Sequence, residues 1–107
     1  MVKVIWTEQA IDDLTNIAQY SSGYSDKYAS TTVSKLFNKT TILKTMPRIG
    51  RMVPERNRET IRALIEGNYR IIYEISSEDR IDVLTVHHSS RPLGDVKQEE
   101  KPLLTPR

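Results

Sequence analysis

Residues 61–75, IRALIEGNYRIIYEI, decide the fold. Ile61, Ala63 and Ile65 alternate with Arg62 and Leu64, the period-two pattern of a strand with two unlike faces. Glu66-Gly67-Asn68 follows as a tight connection, because glycine and asparagine tolerate positive φ. Tyr69 to Ser76 is then strongly strand-like, and Ser77-Glu78-Asp79 turns the chain again. Arg80 to His87 forms the last strand, with Ile81, Val83 and Thr85 alternating against Asp82, Leu84 and Val86, and Pro92 and Gly94 end it. Strands joined by connections this short form an antiparallel meander.

Upstream, the period changes. Val2 to Trp6 reads as a short strand, with Val2, Val4 and Trp6 on one face. Thr7 is a good helix N-cap, and Glu8 puts a negative charge at the positive end of the helix. Ala10, Ile11, Leu14, Ile17, Ala18 and Ser21 then make one apolar stripe. A second helix starts at Ser25 and Asp26, with Ala29, Val33, Leu36, Phe37, Thr40 and Leu43 as its buried stripe. It runs to Lys44, and Pro47 and Gly50 stop it. Two helices joined by so short a link form an antiparallel hairpin. The expected fold is therefore α+β in the order β-α-α-β-β-β, with the helix hairpin packed on one face of a small, largely antiparallel four-stranded sheet. The other face is expected to stay wet and to hold any site.

The chain's 107 residues suit a single domain, which at this size buries roughly two thirds of its unfolded surface. We assign residues 1–93 to that domain and residues 94–107 to a polar, flexible tail. There is no cysteine, which excludes disulfides, thiolate metal sites and cysteine nucleophiles. No apolar run approaches the ~20 residues of a membrane span, and the N-terminus lacks a signal peptide's apolar stretch, so a soluble cytoplasmic protein is expected. No ligand spacing supports a metal and no phosphate loop supports a nucleotide, so neither metal nor cofactor is expected.

The net charge of +2 hides a gradient. From Lys44 to Arg70 the chain carries seven cations against three carboxylates, a +4 segment in a remainder of −2. Six of the seven are arginines: Arg48, Arg51, Arg56, Arg58, Arg62 and Arg70. Arginine's planar fork suits phosphate or carboxylate. The segment reads either as a solvated arginine-rich loop or as a surface for an acidic partner or nucleic acid.

With Glu66-Gly67-Asn68 as a three-residue loop, Leu64 pairs with Arg70, and Arg62 shares a face with Arg70. On the last strand Arg70 faces Val86 if the turn has three residues, or His87 if it has two. A candidate cluster of Arg62, Arg70, Arg91 and either His87 or His88 results. Such a set could bind phosphate and move protons in RNA cleavage. Equally, the arginines could pair with Glu59, Glu66 or Glu74 and the histidines simply end the strand. Tyr69 and Tyr73 share a face and read as core.

VIWTEQAIDDLTNIAQY (residues 4–20), PRIGRMVPE (47–55), IRALIEGNYRIIYEI and DRIDVLTVHHSSRP (79–92) together resemble the RelE/ParE superfamily of type II toxins. The order carries the resemblance: a tryptophan-ended strand, two helices, a Gly-Arg loop, a Tyr-Arg-Ile-Ile-Tyr strand and a His-x-x-Arg ending. It implies a growth-inhibiting toxin of a plasmid-stabilising module, neutralised by a cognate antitoxin in a hetero-oligomer. A ParE-like member binds DNA gyrase. Its partner contacts would then fall on Arg48, Arg51, Arg56, Arg58 and Arg62. A RelE- or YoeB-like member cleaves messenger RNA on the ribosome, which here would use Arg70, Arg91 and His88, with Arg62, Glu55 and His87 in secondary roles. RelE-like enzymes carry lysines where this chain reads Ile61-Arg62-Ala63-Leu64, and a C-terminal tyrosine or histidine where it offers only histidine. The resemblance therefore points to the ParE side, to a binding toxin before a catalyst. A third reading is a non-toxic interaction module of the same fold.

Overall fold

The computed structural model describes residues 2–23, 25–56 and 58–88. Strand β1 (Lys3–Trp6) leads into helix α1 (Glu8–Ser21), and α2 (Asp26–Lys39) returns antiparallel to it. Strands β2 (Arg51–Met52), β3 (Ile61–Glu66), β4 (Tyr69–Ser77) and β5 (Arg80–His88) follow. The sheet is five-stranded in the order β1-β5-β4-β3-β2, one strand more than expected. The addition is β2, a two-residue strand inside the arginine-rich loop. It has too few residues to show a period, and it exists because Arg51 and Met52 pair with Ala63 and Arg62. β1 lies parallel to β5, with Trp6 opposite Val83, and the other pairings are antiparallel.

Both helices start where capping chemistry says they should. The Thr7 hydroxyl accepts from the Ala10 N–H at 3.2 Å and donates to the Val83 carbonyl at 2.7 Å. This one side chain caps α1 and ties it to β5. The Ser25 hydroxyl accepts from the Tyr28 N–H at 2.9 Å. The second helix is shorter than its stripe suggests. After Lys39 it tightens into a 3₁₀ turn, Thr40–Lys44, where the Thr40 hydroxyl donates to the Phe37 carbonyl. Leu43 still reaches the core and is fully buried. Two expected core residues do not: Ile11 and Phe37 are exposed, although Phe37 stacks on Trp6 with ring centroids 5.5 Å apart.

The main core joins Ala10, Leu36 and Leu43 to Leu64, Ile71, Tyr73, Ile81, Val83 and Val86 of the sheet. Burying one such aliphatic side chain contributes about 1.5–3 kcal/mol. The far face is not simply wet. Ile61, Ala63 and Ile72 pack there with Val53 from the loop after β2, and half-buried Leu84 lies against them. β5 does not alternate cleanly, because register irregularities fall between Ile72 and Tyr73 and between Ile75 and Ser77. With this local shift, Val83 and Val86 both reach the helix-side core.

Candidate functional site

The β3–β4 connection places the candidate cations. Its turn has two residues, Gly67 and Asn68, with Gly67 at φ +59°, so Glu66 pairs with Tyr69 and Ile65 with Arg70. The three-residue loop expected from the sequence, with Leu64 opposite Arg70, does not form. A one-residue change of register moves a strand's entire set of side chains to the other face relative to its partner. Arg62 is therefore paired with Tyr73 on the helix side, whereas Arg70 stands on the far side. The two arginines are not neighbours.

Across the next ladder Arg70 pairs with His87 and Tyr69 with His88. The two opposite irregularities cancel, so Arg70 meets the residue that a two-residue turn alone would select. Arg70 and His87 share the far face and are both half-buried. His88 turns to the helix side, edge-on to Tyr69 with ring centroids 5.2 Å apart. There it borders a cavity of about 470 Å³ with Tyr20, Tyr28 and Asn68. The Tyr69 phenol is held above its ordinary pKa, chiefly by burial and then by the nearby Tyr28. Arg91, residues 94–107 and the Glu55 side chain lie outside the described residues.

The expected partner-binding cations have different surroundings. Arg62 is turned inward onto the loop. Its Nε donates to the Glu59 carbonyl at 3.0 Å, and its Nη1 to the carbonyls of Gly50 at 2.9 Å and Arg48 at 3.3 Å. Tyr73 acts beside it: its hydroxyl donates to the Pro47 carbonyl at 2.7 Å and accepts from the Gly50 N–H at 3.0 Å. Burial raises the Tyr73 pKa, a shift moderated by the Gly50 N–H and by the cations Arg62 and Arg48. Gly50 is required for this approach, since a Cβ there would lie 2.7 Å from both the Ala63 carbonyl and the Tyr73 hydroxyl. The loop that Arg62 and Tyr73 hold presents Arg48 and Arg51, both exposed. Arg48 is 4.0 Å from Glu59, a loose surface contact, while Arg58 makes a close ion pair with Glu74. Arg56 is half-buried in a 3₁₀ turn, Pro54–Arg56.

Sequence reasoning missed Asp13. Its carboxylate accepts from the Val86 N–H at 3.0 Å and from the Thr85 hydroxyl at 2.5 Å. β1 stops pairing with β5 at Trp6–Val83, and Asp13 satisfies backbone beyond that point. Nothing in the local pattern of α1 signals this, because the need arises on β5. The Tyr73–Gly50 contact left a fainter signal, a glycine soon after a proline in an otherwise cationic loop. Among the described residues no group of three histidines or carboxylates could hold a metal. No helix there is long and apolar enough to cross a membrane.

Comparison with known proteins adds the following. A family model described as the ParE toxin of the type II toxin–antitoxin system parDE matches residues 4–93. Among solved structures, the chromosomal ParDE toxin–antitoxin system from P. aeruginosa is similar at a TM-score of 0.70 and 19% identity, covering 82% of this chain and 96% of that one. The RelBE2 toxin–antitoxin complex from Mycobacterium tuberculosis is similar at a TM-score of 0.53 and 22% identity, covering 81% and 96%. At these identities the structural likeness speaks for the fold. Among curated proteins none matches.

Proposed function

The chain belongs to the ParE toxin family of type II toxin–antitoxin systems, and from that premise we propose that it arrests growth by binding DNA gyrase and is silenced by a cognate antitoxin. The observation that carries the binding reading is the dispersal of its cations. Stabilising a cleaving phosphate needs several positive groups aimed at one point. Here Arg62 is spent on loop carbonyls on one side of the sheet, and Arg70 stands on the other. Arg48 and Arg51 instead project from a pinned loop, an arrangement suited to meeting an acidic protein surface. In this reading the toxin works inside the cell that makes it, as part of a plasmid-stabilising or equivalent addiction module.

One contact favours the second reading, a ribosome-dependent endoribonuclease. Arg70 and His87 are cross-strand partners on one face, so a guanidinium stands beside an imidazole able to move a proton. Expression in growing cells, with plasmid supercoiling and transcript ends followed together, separates the two. The gyrase reading expects relaxed or cleaved DNA and intact transcripts. New transcript ends that vanish in Arg70→Ala would replace it with the nuclease. Unimpaired growth at confirmed expression would remove both toxin activities.

A further inference from the structure

Three tyrosines meet at the end of the helix hairpin, on the side of the sheet opposite Arg70 and His87. Tyr20 from the last turn of α1, Tyr28 from the first turn of α2 and Tyr69 from the start of β4 line the cavity of about 470 Å³ that His88 borders. Tyr20 and Tyr28 are 71% and 53% exposed, so their rings are open to solvent. Tyr69 is half-buried and packs against the main core. Ionising its phenol is opposed first by burial, then by Tyr28 and more weakly by Tyr20, so the three phenols are close neighbours. The buried Ser21 is hydrogen-bonded to the Tyr69 phenol and fixes it in place.

In a chain with 28% charged residues, no lysine, arginine, aspartate or glutamate lines this cavity among the described residues. A phosphate or carboxylate ligand would find no lysine or arginine to meet it. The local field is negative instead. Aromatic faces carry the negative part of the ring quadrupole. Helix α1 ends at Ser21 with no basic residue in its last turn, which leaves the negative end of its dipole at the cavity. The positive end of α2 beside it is answered by the Ser25 hydroxyl, which accepts from the Tyr28 N–H, and by Asp26. Glu66, directly across from Tyr69 on the same face of the sheet, adds an anion one strand away. Lys27, next to Tyr28 in sequence, does not line the cavity. Among the described lining residues His88 alone can carry positive charge. A compact, strongly hydrated cation gains little from aromatic rings, whereas a soft organic cation loses little hydration on meeting them.

We propose that this cavity binds a soft organic cation, a quaternary ammonium or guanidinium group, by cation–π contact with Tyr20, Tyr28 and Tyr69. The site is separate from the gyrase and antitoxin readings and from the Arg70–His87 pair. Two sources share this chemistry, a free small molecule and an arginine side chain of another protein. The test is an NMR titration of the purified full chain at about pH 8, where histidine is ordinarily neutral, followed at the amides of Asn68 and Tyr69. Choline stands for the free molecule and N-acetylarginine amide for the side chain. At least one gives saturable shifts in the millimolar range, and the tighter of the two names the source. Their uncharged analogues, the alcohol with carbon in place of choline's nitrogen and N-acetylcitrulline amide, give none. Tyr20→Leu and Tyr28→Leu, both at exposed positions, each weaken binding by about two- to fivefold. Tyr20→Phe and Tyr28→Phe keep the ring faces and bind nearly as the wild type does. Equal binding of the uncharged analogues overturns the proposal in favour of an apolar slot. Tighter binding of adenosine overturns it in favour of a stacked base. No saturable shift with either cation, or shifts that persist when both tyrosines are leucine, removes the site.

Discussion

Tyr73 shows how much one side chain can organise. It is fully buried against the helices, yet its hydroxyl joins both Pro47 and Gly50. Tyr73→Phe keeps the ring and leaves the Gly50 N–H buried without its acceptor. The expected cost is about 1–3 kcal/mol, measurable by urea denaturation. The same residue sets an alkaline limit. Its pKa is raised in the fold, so the unfolded chain releases the proton first, near its ordinary value of about 10. The stability is fully present below that pH and is lost as pH climbs from there through the folded value. Wild-type denaturation midpoints should therefore fall above about pH 10, and Tyr73→Phe should fall less steeply. Some slope remains in the variant, because Tyr69 is shifted in the same direction. Equal slopes would show that Tyr73 is not the group responsible. Arg62 gives a complementary lesson. Its charge was legible in the sequence, but its use was not, since the carbonyls it serves belong to Arg48, Gly50 and Glu59, which only folding gathers.

Among the elements, the β3–β4 hairpin has the greatest consequence for its length. Strand identity was readable on both sides of Glu66-Gly67-Asn68, but the size of the turn was not, since two and three residues both suit those amino acids. That single residue decides whether Arg62 and Arg70 stand together or on opposite faces. Gly67 sits at φ +59° with open space around the position of a Cβ, so a side chain there meets backbone strain and no clash. Gly67→Ala is expected to lose about 1–2 kcal/mol, the penalty of a left-handed residue, and to keep the register. Thermal denaturation gives the first result. Unchanged cross-strand amide contacts between Glu66 and Tyr69 give the second. A variant as stable as the wild type would mean that the turn relaxes to another type. The helices were more legible than the sheet. Thr7 and Ser25 cap as read, because a cap depends on residues three positions away rather than on distant chain.

For the whole molecule, charge placement matters more than net charge. Arg48 and Arg51 project from a loop whose backbone is held by Tyr73 and Arg62. In the binding-toxin reading, Arg48→Glu with Arg51→Glu should slow association with the antitoxin and flatten its dependence on salt. Stopped-flow mixing across ionic strengths measures this, and an unchanged salt slope would place the acidic contact elsewhere. The α+β class, the helix hairpin and four of the five strands followed from periodicity and caps, because those signals act over a few residues. The absence of cysteine likewise excluded thiol chemistry on composition alone. The fifth strand, the pairing of Arg70 with His87, and Asp13 at the end of β1 came only with tertiary structure. Each depends on which distant backbone groups find partners, and two-residue pairings and one-residue differences in turn length leave no period for a sequence to display.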